Sequence, residues 1–302
     1  MEFKFVIDEY YLSYLFNDAE HNYTEIEWFV NISKHIPVNF GATYITKDLY
    51  DKVFNDIRNS DIFCPSRGKA RDLAMRFGIT YQRYYKKYNK NDFKDKKHES
   101  DKDFPTYILN NKLVALITRF DYTKEDWWAE STPQRLSIGD EVLTCVRNLA
   151  SEVNDCSDDE FMKVANILFP NIYIHWSNKI KLSNFKISPT PIKWIIESLA
   201  YLNDHAVEDY RNSPSLFMEA ALKKGIHLSP ESTKTRRAAR LMKERDIEIK
   251  NKSVCCEWHF KYSKTEGGRI HFHFGYDVDD ALNETTKGFP IVGIFTNHLP
   301  IA

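Results

Sequence analysis

Hydrophobic positions along this chain change their spacing several times, and each change marks an element. At the start, "FKFVID" (3–8) gathers apolar residues into a run too short for a helix and ends it with Asp8, which predicts a buried strand. "EYYLSYLF" (9–16) and "YTEIEWFVNISKHI" (23–36) then space their apolar residues three and four apart, which predicts two helices. In 154–161, "NDCSDDEF" reads as a helix entry with Ser157 as its N-cap. Further on, Ile192, Ile195, Ile196, Leu199 and Leu202 recur at helical intervals behind Ser188, Pro189 and Pro191, the pattern of an amphipathic helix.

From Ser213 the order is denser. "SPSLFMEAALKKG" predicts a short helix closed by Gly225. "SPESTKTRRAARLMKERD" predicts a second, with Ser229 as N-cap and Pro230 in its first turn. Strands follow at 254–262, 269–276 and 289–296, with the turn "KTEGG" between the first two. The fold class is therefore α+β. It is a mostly helical N-terminal domain, 1–210, with a short buried strand, followed by a domain, 211–302, of two helices and an antiparallel three-stranded sheet. A basic, polar insertion near 81–104 interrupts the first domain.

Strands alternate sides with a period of two. In "EWHFK" this sets Glu257, His259 and Lys261 against Trp258 and Phe260; in "RIHFHF" it sets Arg269, His271 and His273 against Ile270, Phe272 and Phe274. The two polar sets share a face only if the connecting loop has an odd number of residues. Lys264 to Glu266, with Gly267 or Gly268 free to adopt positive φ, meets that condition.

Composition narrows the class. With 42% hydrophobic residues in 302, the chain can bury a core and is not disordered. No run approaches the roughly 18 apolar residues of a membrane span, and Glu2 and Lys4 interrupt any signal-peptide pattern. Five cysteines without a CxxC pair point to reduced thiols and a cytoplasmic protein. A net charge of −1 excludes a wholesale basic protein, but the charge is uneven. Residues 61–98 hold eleven Lys and Arg, among them Arg83, Lys86 and Lys87, threaded with Tyr81, Tyr84, Tyr85 and Tyr88. Residues 232–245 hold six, including Arg236, Arg237, Arg240 and Lys243, against Glu244 alone. Cations beside rings are what a nucleic-acid groove requires, and a solvated, charged surface has the same composition.

The hairpin's polar face admits three readings: an ordinary solvated sheet surface, metal-free acid–base chemistry on a phosphodiester, or a metal site built on the two imidazoles of H-x-H. The pattern of two helices, then "CEWHFKY…GGRIHFHF…PIVGIFTNHLP", resembles the RelE-like toxin superfamily over residues 213–302. That resemblance implies a ribonuclease needing no cofactor. Arg269 would meet RNA phosphate, His298 would sit at the end of the last strand, and Lys261 and His271 would do acid–base or phosphate-holding work. Together with the strand pattern it makes His259, Lys261, Arg269, His271, His273 and His298 the candidate catalytic set. "FVIDEYYLSYL" resembles the opening of PIN-like nucleases, which implies a divalent metal at Asp8 with Glu25 or Glu27. Both resemblances imply an RNA-cleaving toxin or antiviral defence protein, with RNA as substrate and an antitoxin or defence-complex protein as partner. A non-catalytic nucleic-acid-binding subunit and a metal-dependent hydrolase are the alternatives.

Overall fold

The computed structural model describes residues 1–64, 68–88, 113–124, 128, 134–139, 141–276 and 278–302. They form two compact units of mixed helices and sheets, Met1–Ala150 and Ser151–Ala302. The division thus falls well before the boundary expected at 210. The reason lies in strand pairing, because Tyr173 and Ile174 join the C-terminal sheet.

The first unit is built on a parallel sheet rather than a lone strand among helices. Its strands are β1 (Lys4–Ile7), β2 (Ala42–Thr46), β5 (Lys86–Tyr88), β6 (Val114–Ile117) and β7 (Gln134–Leu136), in the order β5-β2-β1-β6-β7. A small antiparallel ribbon, β3 (Val53–Phe54) and β4 (Ile57–Arg58), lies outside it. β1 is central and wholly apolar inward, with Phe5, Val6 and Ile7 buried. Successive strands step outward on one side of β1, then resume on its other side, so a topological switch point lies between the carboxyl ends of β1 and β6. Asp8 ends β1 there and caps the helix Glu9–Asn17, accepting from the backbone N of Tyr11 at 3.1 Å. The expected helix at 23–36 runs Tyr23–Asn39.

In the first basic segment the helix Lys69–Arg83 buries Ala70, Leu73, Ala74, Phe77 and Tyr81 at three- and four-residue spacing. Tyr81 and Tyr85 are core residues, so neither can stack on a base. Tyr84 is exposed. Residues 89–112, most of the expected polar insertion, and Arg67 lie outside the described residues.

The second unit holds a five-stranded sheet in the order β8-β14-β13-β12-β9: β8 (Tyr173–Ile174), β9 (Leu228–Pro230), β12 (Trp258–Lys261), β13 (Arg269–His273) and β14 (Ile291–Thr296). A separate hairpin, β10 (Asp246–Ile249) and β11 (Lys252–Cys255), turns through Lys250 and Asn251, both at positive φ as tight hairpins require. The strand expected from 254 to 262 is therefore two strands, broken at Cys256 and Glu257. Ser157 caps the helix Asp158–Leu168 through a capping box with Glu160, and the amphipathic helix starts at Ile192. The helix expected to start at Ser229 does not form there. Pro230 lies in the edge strand β9, Ser232 is the N-cap, and Ala238 at ψ 92° splits the segment into Thr233–Arg237 and Ala239–Lys243. Between β13 and β14 lies the helix Asp280–Thr286, capped by Asp279. No helix among the described residues is long and apolar enough to cross a membrane.

The sheet buries both faces. On one, Phe260, Ile270, Phe272 and Phe295 are covered, with Phe295 stacked on Phe185 and 6.2 Å from Phe161. On the other, the β10–β11 hairpin contributes Ile247, Ile249 and Val254 to a cluster with Cys256, Ile291 and Ile294. That hairpin sits close because Gly293 has no side chain: a Cβ there would lie 2.6 Å from Cys256 Sγ and 2.8 Å from Ile247 Cδ1. Gly293→Ala is expected to destabilise the unit by about 1–3 kcal/mol through overpacking. Urea unfolding checks it, and Cys256→Ala in the same chain should recover part of the loss.

Candidate functional site

The β12–β13 hairpin has the register that alternation demands. His259 pairs with His271, and Lys261 with Arg269, so the four side chains share one face. Ser263 and Gly267 close the loop around three residues, and Gly267 and Gly268 both take positive φ. The expected face exists, but it is not the wet side of a hairpin.

Three groups from outside the hairpin close over it. Glu231, just after β9, is buried, and Arg245, just before β10, is fully buried. Arg245 donates from Nε to Glu231 Oε1 at 2.9 Å, from Nη1 to the Leu241 carbonyl at 2.7 Å and from Nη2 to the Pro300 carbonyl at 2.8 Å. The Cys256 carbonyl meets His271 Nδ1 at 3.2 Å. His259 and His271 are buried, their rings 4.9 Å apart. Burial first, then the neighbouring His271 and Lys261, push His259 down to about 2; burial pushes His271 down to about 3. Burial thus favours the neutral form of both imidazoles. The pair is expected from the sequence to exchange protons near neutrality, and burial works against the charged form that such exchange needs.

The remaining candidates scatter. Arg269 donates to the Ser263 and Gly268 carbonyls at 3.2 and 2.7 Å, which turns its guanidinium toward its own turn. His273, at the strand end, accepts from the Gly275 backbone N at 3.0 Å and lines a separate cleft. His298 is exposed beyond β14, with Nδ1 on the Leu299 carbonyl at 2.6 Å.

Of the basic candidates, Arg83, Arg237, Arg240 and Lys243 are exposed. Lys86 lies 3.7 Å from Glu2, and Lys87 bonds Gln82 at 2.8 Å and covers the Tyr81 ring. Arg236 pairs with Glu257 at 2.9 Å. Because the helix breaks at Ala238, Arg236, Arg240 and Lys243 are not one helical row. Arg245, counted with them in the sequence, is interior.

In the first unit Asp8 accepts from Thr118 Oγ1 at 2.6 Å and Tyr122 OH at 2.9 Å, which closes its carboxylate off from solvent. Glu25 takes hydrogen bonds from Tyr11 OH and, at 3.1 Å, from Arg119. Glu27 is half-buried. Among the described residues, the one group of three or more metal-type donors converging within 4.8 Å is Glu231, His259 and His271.

Sequence reasoning missed Glu231 and Arg245. A signal for the first exists: Ser229 precedes a proline, which biases it to extended backbone, and "STKT" offers the better cap. Nothing local marks Arg245. It also missed a cleft of about 480 Å³, lined by Tyr210, Trp258, His273, Phe274 and Tyr276 with Lys252, Glu257 and Asp279 at its walls. Tyr210 stacks on Phe274 at 4.5 Å, and the array continues to Tyr276, a residue 45% exposed. Comparison with family models, with curated proteins and with solved structures finds no match.

Proposed function

We propose that the second unit binds single-stranded nucleic acid, taking a base into the cleft beside Tyr276, and that binding rather than acid–base cleavage is its primary activity. The observation that carries this reading is the aromatic array of Tyr210, Phe274 and Tyr276, in which Tyr276 is partly exposed. A base of any sequence can extend such an array, and its volume suits one planar ligand. The acids of the cleft are balanced, Glu257 by Arg236 and Asp279 by Lys252, while Arg211 lies 5.8 Å from the Tyr276 ring. Exposed Arg237, Arg240 and Lys243 offer phosphate contacts in the same unit.

RNA is the favoured target because the C-terminal strands resemble the RelE-like superfamily, with Arg269 on a sheet strand. The PIN-like resemblance is supported by the place of Asp8 at a switch point. A toxin or antiviral defence role rests on these resemblances. Cleavage by the hairpin histidines is disfavoured, because both are buried and burial favours their neutral forms.

The test is anisotropy titration of labelled single-stranded RNA and DNA. Tyr276→Ala is expected to weaken binding by about 5- to 150-fold, the loss of one stacked base. The pair Arg237→Ala and Arg240→Ala is expected to lower the salt slope by about 1–2. Unchanged affinity and slope in both variants would falsify the reading.

A further inference from the structure

Among the described residues, His271 and His259 each keep one ring nitrogen without a hydrogen-bond partner, although both are buried: Nε2 on His271 and Nδ1 on His259. The tautomer of His271 follows from its surroundings. The Cys256 carbonyl at 3.2 Å can only accept, so Nδ1 carries the hydrogen and Nε2 presents a lone pair. A metal-binding histidine is commonly oriented this way, by a backbone carbonyl on its other nitrogen. His259 Nδ1 lies 3.8 Å from Glu231 Oε1, too far for a hydrogen bond. Glu231 in turn is held by Arg245 through Oε1. Donor atoms of the three residues thus face one another within 4.8 Å.

We propose that Glu231, His259 and His271 bind a late first-row divalent transition metal of the zinc class. Two imidazole nitrogens and one carboxylate oxygen are a common zinc donor set and leave a coordination position for water. Metal–donor bonds of about 2.0–2.2 Å set tetrahedral donors about 3.4 Å apart, so side-chain rotation of about an ångström closes the site. The nitrogen donors and the single oxygen exclude calcium and magnesium, which take several oxygens. Arg245 holds the carboxylate in place and offsets its charge, so affinity comes from the nitrogen donors rather than from net negative charge. Lys261 on the same face favours an anionic fourth ligand. This site is separate from the aromatic cleft, and it holds or fails whether or not nucleic acid binds.

The test uses the full chain, stripped with a chelator and then titrated with Co²⁺ and Zn²⁺. One Co²⁺ per chain is expected, with visible d–d bands of a four-coordinate ion, displaced by Zn²⁺ and indifferent to Mg²⁺. Zn²⁺ is also expected to raise the thermal midpoint of the wild-type chain. His271→Gln should lower Zn²⁺ affinity by more than the ~10- to 100-fold typical of an outer-sphere substitution. Circular dichroism monitors its fold, and the wild-type spectrum stands if the variant fails to fold. No stoichiometric metal in the wild type overturns the proposal. So does a thiolate charge-transfer band, which would put the ion on the cysteines, or undiminished affinity in folded His271→Gln.

Discussion

Replacing Arg245 by alanine is expected to cost the second unit about 3–5 kcal/mol of unfolding free energy, the usual consequence of stripping one partner from a buried ion pair. Arg245 and Glu231 are both almost fully enclosed, and the guanidinium also ties down the Leu241 and Pro300 carbonyls. Alanine leaves the Glu231 side chain without its partner and two carbonyls unmet. Removing both charges with Arg245→Met and Glu231→Leu should cost much less, because the pair's own desolvation is relieved with it. Urea unfolding of the three chains in a chelator decides the matter. A double variant as unstable as Arg245→Ala would show that shape, not charge, governs the site.

A pH effect of similar size is expected in the first unit, from Asp8. Burial pushes its carboxyl up from 3.8 to about 6, against the pull of the Thr118, Tyr11 and Tyr122 hydrogen bonds. Between those two values the folded chain holds a proton that the unfolded chain has released. Stability from this group is therefore complete below about pH 4 and is lost as pH rises through 6. Two pH units of displacement correspond to about 3 kcal/mol. Hydrogen exchange of the β1 amides, corrected for intrinsic rate, should slow on going from about pH 7 to about pH 4. Asp8→Asn isolates the contribution, since it has no proton to exchange. Equal pH slopes in the two chains would remove Asp8 as the cause.

The hairpin's register was readable because alternation and an odd loop leave a single way to pair "EWHFK" with "RIHFHF". What covers the paired histidines was not readable. Arg245 and the β10–β11 hairpin reach them through chain reversals that no local pattern encodes. In the first unit "VALI" (114–117) is an apolar run that periodicity could have found, but "KKY" (86–88) and "QRL" (134–136) are strands only because a neighbour pairs with them. Tyr81 was legible too. It continues the stripe of Leu73 and Phe77 four residues at a time, a pattern that the basic residues between them obscured. Of the hairpin face, composition marked every member; of the groups that close it, none.

The central position of β1 also sets a timetable for biosynthesis. Lys4 to Ile7 pair on one side with Val114 to Ile117, more than a hundred positions later. At about 5–20 residues per second, a ribosome needs roughly 5–20 s to make that partner. Through that interval the edge formed by Phe5, Val6 and Ile7 is open to any other extended chain, the hazard that non-local parallel pairing carries. This strand is therefore where a holding chaperone has most to protect.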